Sequence, residues 1–91
     1  MPFRLLRVRG HSMTPQFPSG SYALLRTGKN LSFKIGDVVA LESSTGLMLK
    51  RISKIEEHGL RLAGDNLADS YDSRDFGLAL PKDIVGKVIW H

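Results

Sequence analysis

The chain has no cysteine in its 91 residues. That excludes disulfides, thiolate metal ligands and a thiol nucleophile, and it fits a reducing compartment. Long apolar runs are also missing. The longest, YALL and VVAL, fall far short of the roughly 20 residues of a spanning helix. The opening MPFRLLRVRG is too short and too charged for a secretory signal. No GxxxxGK[ST] or GxGxxG stretch offers a phosphate cradle. His11, His58 and His91 are scattered, and none pairs with a carboxylate at ligand spacing. No metal or cofactor is therefore expected. A cytoplasmic location is the default, with peripheral contact at a membrane left open.

What is present is ordinary for a globular protein: 42% hydrophobic and 24% charged residues, spread through the length. The size allows one domain, residues 1–91, with one modest core. Net charge is +4, and basic residues gather early, at Arg4, Arg7, Arg9, Arg26, Lys29 and Lys34. No recognition helix, zinc-finger spacing or aromatic RNA-binding signature accompanies them. They read as a solvated basic face, with no nucleic-acid partner expected.

Hydrophobicity alternates with period 2 more often than 3.6. FRLLRVRGHS (3–12), SYALLRT (21–27), DVVALES (37–43), LMLKRISKIE (47–56), GLRLAG (59–64) and IVGKVIW (84–90) all read as strands. Turn signals separate them: PSG, TGKN, IGD, SSTG, EHG and GDN. STG is a candidate hairpin loop, and a short helical turn is expected after Ser12. Residues 65–82 carry little strand pattern, and a long polar loop in a small domain is usually functional. The fold class expected is all-β: a small, mostly antiparallel sandwich or partly open barrel.

Ser12, at the junction between the first strand and a turn, is a candidate nucleophile or an ordinary cap. In an unbroken strand, Leu6, Val8, Gly10 and Ser12 share a face. His11 adjoins Ser12 but points the other way. His58 falls at a turn tip and His91 ends the sequence, so a histidine base is not expected. Lys50 is the other possible base. Its same-face neighbours at two-residue spacing are Met48 and Ile52, which desolvate it. Desolvation disfavours the ammonium form. A free lysine titrates near ~10.4 and a useful base near ~7–8, a gap that burial is able to supply. On the local pattern alone, a lysine snorkelling at a sheet edge is the simpler reading. In GDNLADSYDSRDFG (64–77), Asp65, Asp72 and Arg74 could pair beneath a site, and Ser70 or Ser73 could bond a neutral lysine. A polar loop held by Asx-turns and surface ion pairs explains the same residues.

Taken together, SMTP (12–15), KRI (50–52) and GDNLADSYDSRDFG resemble the serine–lysine peptidases of the type I signal peptidase family and its LexA-like relatives. PKDIVGKV (81–88) resembles that family's closing strand, and the likeness runs over residues 8–89. The resemblance implies Ser12 as nucleophile and Lys50 as general base. It implies Ser70 as the serine orienting the lysine, and Asp72 with Arg74 as the supporting ion pair. Asp65 and Asn66 open the box and Ser73 supports it. The chemistry implied is acyl transfer: neutral Lys50 takes the Ser12 proton, the alkoxide attacks the scissile carbonyl, and water clears the acyl-enzyme. The Ser12 backbone N–H helps hold the oxyanion.

Some positions depart from the pattern. Gly10 stands where some signal peptidases carry a second oxyanion donor. His11 stands where several members have a small or apolar residue. Leu67 replaces an arginine. No membrane anchor precedes Ser12, and no Ala-Gly bond lies ahead of it for self-cleavage. The expectation is a small soluble serine endopeptidase acting in trans on an extended peptide, contacted by Val8, Gly10, Met13 and Met48 through β-augmentation. Maturation proteases of nickel-type superoxide dismutase are small members of this kind. The alternative is an interaction or dimerisation module of the same fold that has lost its activity.

Overall fold

A computed structural model describes residues 2–10, 13, 15–28, 31–43, 46–64 and 78–91. Six strands account for most of them: β1 (Phe3–Arg7), β2 (Tyr22–Arg26), β3 (Val38–Ser43), β4 (Gly46–Glu56), β5 (Gly59–Ala63) and β6 (Ile84–Trp90). They form one open sheet in the order β1-β2-β6-β3-β4-β5, antiparallel at each pairing among the described residues. A 3-10 turn, Pro81–Asp83, leads into β6. The fold is therefore all-β. Among the described residues no helix is long and apolar enough to cross a membrane.

Period-2 patterning explains the strands, and it also explains why the sheet is buried on two faces. In β3, Val38 and Ala40 look to one side and Val39 and Leu41 to the other, and all four are buried. The first core gathers Val8, Met13, Phe17, Ala23, Leu25, Val38, Ala40 and Leu49. The second gathers Val39, Leu41, Ile52, Leu60, Leu62, Ala79 and Ile84. Burying β3 on both faces fits a central strand read as a continuous apolar run.

The connections follow local chemistry. β3 and β4 form a hairpin closed by the Ser43↔Gly46 pair, where STG predicts one. β4 and β5 close at Glu56↔Gly59 around Glu57 and His58. Glu56 pairs with Arg61, and that bond holds the exposed carboxyl below its usual titration range. The segment before β3 is tied down from two sides. Lys87 Nζ donates to the Ser32 carbonyl at 2.9 Å and lies 3.4 Å from the Asp37 carboxylate. Arg51 Nη1 donates to the Gly36 carbonyl at 2.7 Å.

Gly59 has no substitute. Its φ is +154°, and a Cβ there would stand 2.9 Å from both the Ala79 carbonyl oxygen and Leu78 Cβ. That closeness follows from the bridge between Leu60 and Ala79, which brings the chain back onto the sheet before β6. Gly59→Ala is expected to cost about 1–3 kcal/mol in backbone strain and displaced contacts. Urea denaturation would show it, and an unchanged midpoint would mean that the Ala79 segment yields freely.

One expectation about β1 is corrected. A strand over residues 3–12 is not formed: β1 stops at Arg7. Gly10 sits at φ +84°, a left-handed conformation that breaks the extended run before Ser12. Val8 still bonds to the turn just ahead of β2, its N–H donating to Ser21 O (2.8 Å) and its carbonyl accepting from Gly20 N–H (2.7 Å).

Candidate active site

Lys50 lies on β4 between β3 and β5, directly across from Val39. It is 2% exposed. β4 is an interior strand, so the lysine does not snorkel at a sheet edge. Its neighbours on the same face are Met48 and Ile52, as the alternation predicts, and the second core surrounds them. A primary amine in such a place is desolvated, which works against its charged form. The β4–β5 register, extended one step past Arg51↔Ala63, sets Gly64 opposite Lys50. The described chain thus ends its run after β5 at Gly64, beside the lysine.

Ser12, Asp65, Asn66, Ser70, Asp72, Ser73 and Arg74 lie outside the described residues, as does His11. Gly10 and Met13, on either side of the His11–Ser12 pair, are described. Gly10 and Met13 line a narrow cleft together with Val8 on one wall and Met48 and Leu49 on the other. Its cavity volume, about 30 Å³, is enough to admit water. The structure thus brings together all four residues expected to touch a substrate strand: Val8, Gly10, Met13 and Met48. In the sheet, β1 and β4 are separated by β2, β6 and β3. They meet at the cleft because the twisted sheet curls its first edge toward β4.

Val8 needs a correction as a strand-pairing residue. Its N–H and carbonyl are both engaged by the Gly20–Ser21 turn, and its side chain is buried in the first core. Pro2, whose carbonyl accepts from Thr27 N–H at 2.7 Å, has the same parity. By alternation the backbone groups of Phe3, Leu5 and Arg7 face away from β2. Arg7, at the cleft, is the better-placed partner for an added strand.

Sequence reasoning missed what shapes the turn after Ser12. Phe17 N–H donates to the Met13 carbonyl at 2.8 Å, closing one helical turn. Phe17 and Met13 are each 2% exposed, so the turn is pinned into the first core. His91 packs against Phe17 with ring centroids 4.3 Å apart and the rings tilted by 40°. Gln16 Nε2 lies 3.3 Å from His91 Nε2 and donates to it in the Nδ1–H tautomer. His91 thus serves the packing of this turn. QFP offered one signal, an aromatic between turn residues, but nothing local pairs it with the other end of the chain. His58 is exposed on the β4–β5 turn.

A family model described as Peptidase S24-like matches residues 2–89. A comparison with curated proteins found no match. The family match runs from the first strand to the last and takes in both the Lys50 strand and the cleft beside it, so the chain belongs to the S24-like peptidase family.

Proposed function

We infer that the protein is a serine endopeptidase in which Ser12 attacks and Lys50 is the general base. The observation that carries this reading is the burial of Lys50: 2% exposed, inside an apolar face, one residue from a cleft that Gly10 and Met13 line. Burial there disfavours the ammonium form relative to the neutral amine. A neutral amine is what a base needs in order to take the Ser12 proton. Transfer of that proton frees the serine oxygen to attack a peptide carbonyl. The resulting oxyanion is met by the Ser12 backbone N–H, and the ammonium returns its proton to the leaving amine. Ser70 orients the lysine, with Asp72, Arg74, Asp65 and Ser73 behind it. These roles rest on the resemblance.

The substrate is an extended peptide. It enters between β1 and β4, bonding to the outward groups of Arg7, with its side chains against Met13 and Met48. The slot favours small side chains next to the cut. N-terminal maturation in trans is the activity proposed, and the propeptide of a nickel-type superoxide dismutase is one substrate of that class.

The test is a trap. Purified Ser12→Ala protein is expected to hold peptides that the wild type cuts, and sequencing their N-termini after wild-type digestion should give one cleavage motif. If wild-type protein leaves every captured peptide intact, the fold serves here as an interaction module.

A further inference from the structure

The β1 wall of the cleft carries charge of one sign. Leu6 and Val8 pack into the first core, so Arg7 between them is turned to the opposite side of the sheet, with its cross-strand partner Tyr22. Arg9 follows Val8 at the same two-residue spacing. Both arginines are exposed, and both line the cleft. Arg7 also reaches forward along the wall. A Cβ on Gly20 would stand 3.9 Å from Arg7 Nη2, and the Gly20 N–H bonds to the Val8 carbonyl. The guanidinium thus lies on the Ser12 side of Tyr22.

No carboxylate answers these two cations. Among the described residues, ion pairs join Arg61 to Glu56 and Lys87 to Asp37, and none reaches Arg7 or Arg9. The other charged groups on the same face of β1, β2 and β6 are Arg26 and Lys87, a cross-strand pair at the far end of β2, with Asp37 3.4 Å from Lys87. That end is about 13 Å of strand away from Tyr22, so the cluster leaves the charge at the cleft intact. The rest of the face is uncharged: Phe3, Leu5, Tyr22, Leu24 and Trp90, which the register shift between Leu24 and Leu25 brings there. Lys50, next to Leu49 on β4, adds no negative charge in either protonation state.

The inward side of the cleft differs. There Met13, Leu47 and Leu49 present apolar surface. Glu42, the cross-strand partner of Leu47, sets a carboxylate on that side. Arg4 stands farther up β1, past Leu6.

A strand lying in the cleft alternates its own side chains between the two sides. An acid turned inward would face Glu42 and apolar surface, so inward positions suit small or apolar side chains. Outward positions meet Arg7 and Arg9, and cross-strand pairs of opposite charge stabilise a sheet. We propose that the cleft selects extended peptides with Asp or Glu about three to five residues from the cut bond, the distances of Arg9 and Arg7 from Ser12, alternating with small or apolar side chains. This rests on the cleft being the substrate's site, and it is independent of proton transfer between Ser12 and Lys50.

The probe is a whole-proteome Lys-C digest passed over immobilised Ser12→Ala protein. Captured peptides are sequenced, then offered to wild-type protein to map the cut. They are expected to be enriched in Asp and Glu at alternate positions. Arg7→Gln and Arg9→Gln, made in the Ser12→Ala background, should each weaken binding of a captured acidic peptide about two- to fivefold. Sodium chloride at roughly 0.5 M should weaken it as well. Arg7→Glu together with Arg9→Glu should turn the preference to Lys and Arg. Both side chains are exposed and unpaired, so thermal melts should match the parent's. The proposal is overturned if the captured set shows no acidic enrichment, or if charge reversal leaves it unchanged. It is equally overturned if an acid anywhere in the peptide serves as well, which would mark a general polyanion patch, or if nothing is captured. If acidic peptides are captured in the expected pattern and wild-type protein cuts none of them, this inference stands and the peptidase reading falls.

Discussion

Lys50→Met is expected to fold and to cleave nothing. Methionine matches lysine's length and is at home among Val39, Met48 and Ile52, so the second core keeps its volume. Replacing a buried neutral amine by an apolar side chain of similar shape removes a desolvation cost. Activity moves the other way. Loss of a general base costs roughly 10²–10⁴-fold, and loss of a nucleophile such as Ser12 about 10⁶-fold in comparable enzymes. Lys50→Arg should fail on both counts, because a guanidinium stays charged and cannot act as a base. The pH dependence has a definite sign. If the folded protein holds Lys50 neutral, the unfolded chain binds one more proton at every pH from neutrality up to about 10.4. Wild-type stability then rises with pH through that window, and Lys50→Met stability lacks this rise. The rate of cleavage should climb along a limb well below a free lysine's range. Full activity in Lys50→Met would remove the lysine from the mechanism, and a melted Lys50→Met protein would make its role structural.

Phe17→Ala should be the most damaging core substitution near the site. Phe17 is 2% exposed, packs against His91 and closes the turn on Met13. Truncating a buried phenylalanine costs about 3–5 kcal/mol. In a domain of this size that lowers the melting temperature on the order of 20 °C. Phe17→Leu keeps most of the apolar volume but loses the ring contact. It should remain folded at 25 °C and yet lose more cleavage rate than stability, because the turn it pins begins beside Ser12. Calorimetry on both variants, with rates taken below their transitions, separates the two effects. A Phe17→Ala melt within a few degrees of wild type would mean that His91 and the neighbouring core close over the gap.

Much of the sheet was legible because alternation is a local property. β2, β3, β5 and β6 fall within a residue or so of the boundaries that VVALES, GLRLAG and the rest imply, and the lysine's same-face neighbours are those that two-residue spacing names. Neighbour relations between strands were not legible. Nothing in IVGKVIW says that it lies between β2 and β3, since a strand buried on both sides has the same pattern wherever it sits. The end of β1 was misread because Gly10 looks like one more alternating position until its positive φ is known. The Phe17–His91 contact joins distant parts of the chain, and the outward turn of Trp90 depends on a register shift that periodicity smooths over. The resemblance supplied the candidate nucleophile and base, and the structure added the burial of Lys50 and the cleft next to it. Residues 65–77 lie outside what the structure describes, and their proposed roles rest on the motif.

The strand order carries a consequence for how the protein is made. β6 leaves the ribosome after the other five strands, yet it sits between β2 and β3 and, among the described residues, joins the β1–β2 pair to the β3–β4–β5 meander. Until it arrives, the nascent chain holds two separate hairpin units, with the inner edges of β2 and β3 open. Its pairing with β3, Val39 against Lys87, spans half the chain, the kind of distant closure that slows folding. Closure of the sheet therefore waits for β6, and until then the open inner edges of β2 and β3 are where a holdase chaperone would bind.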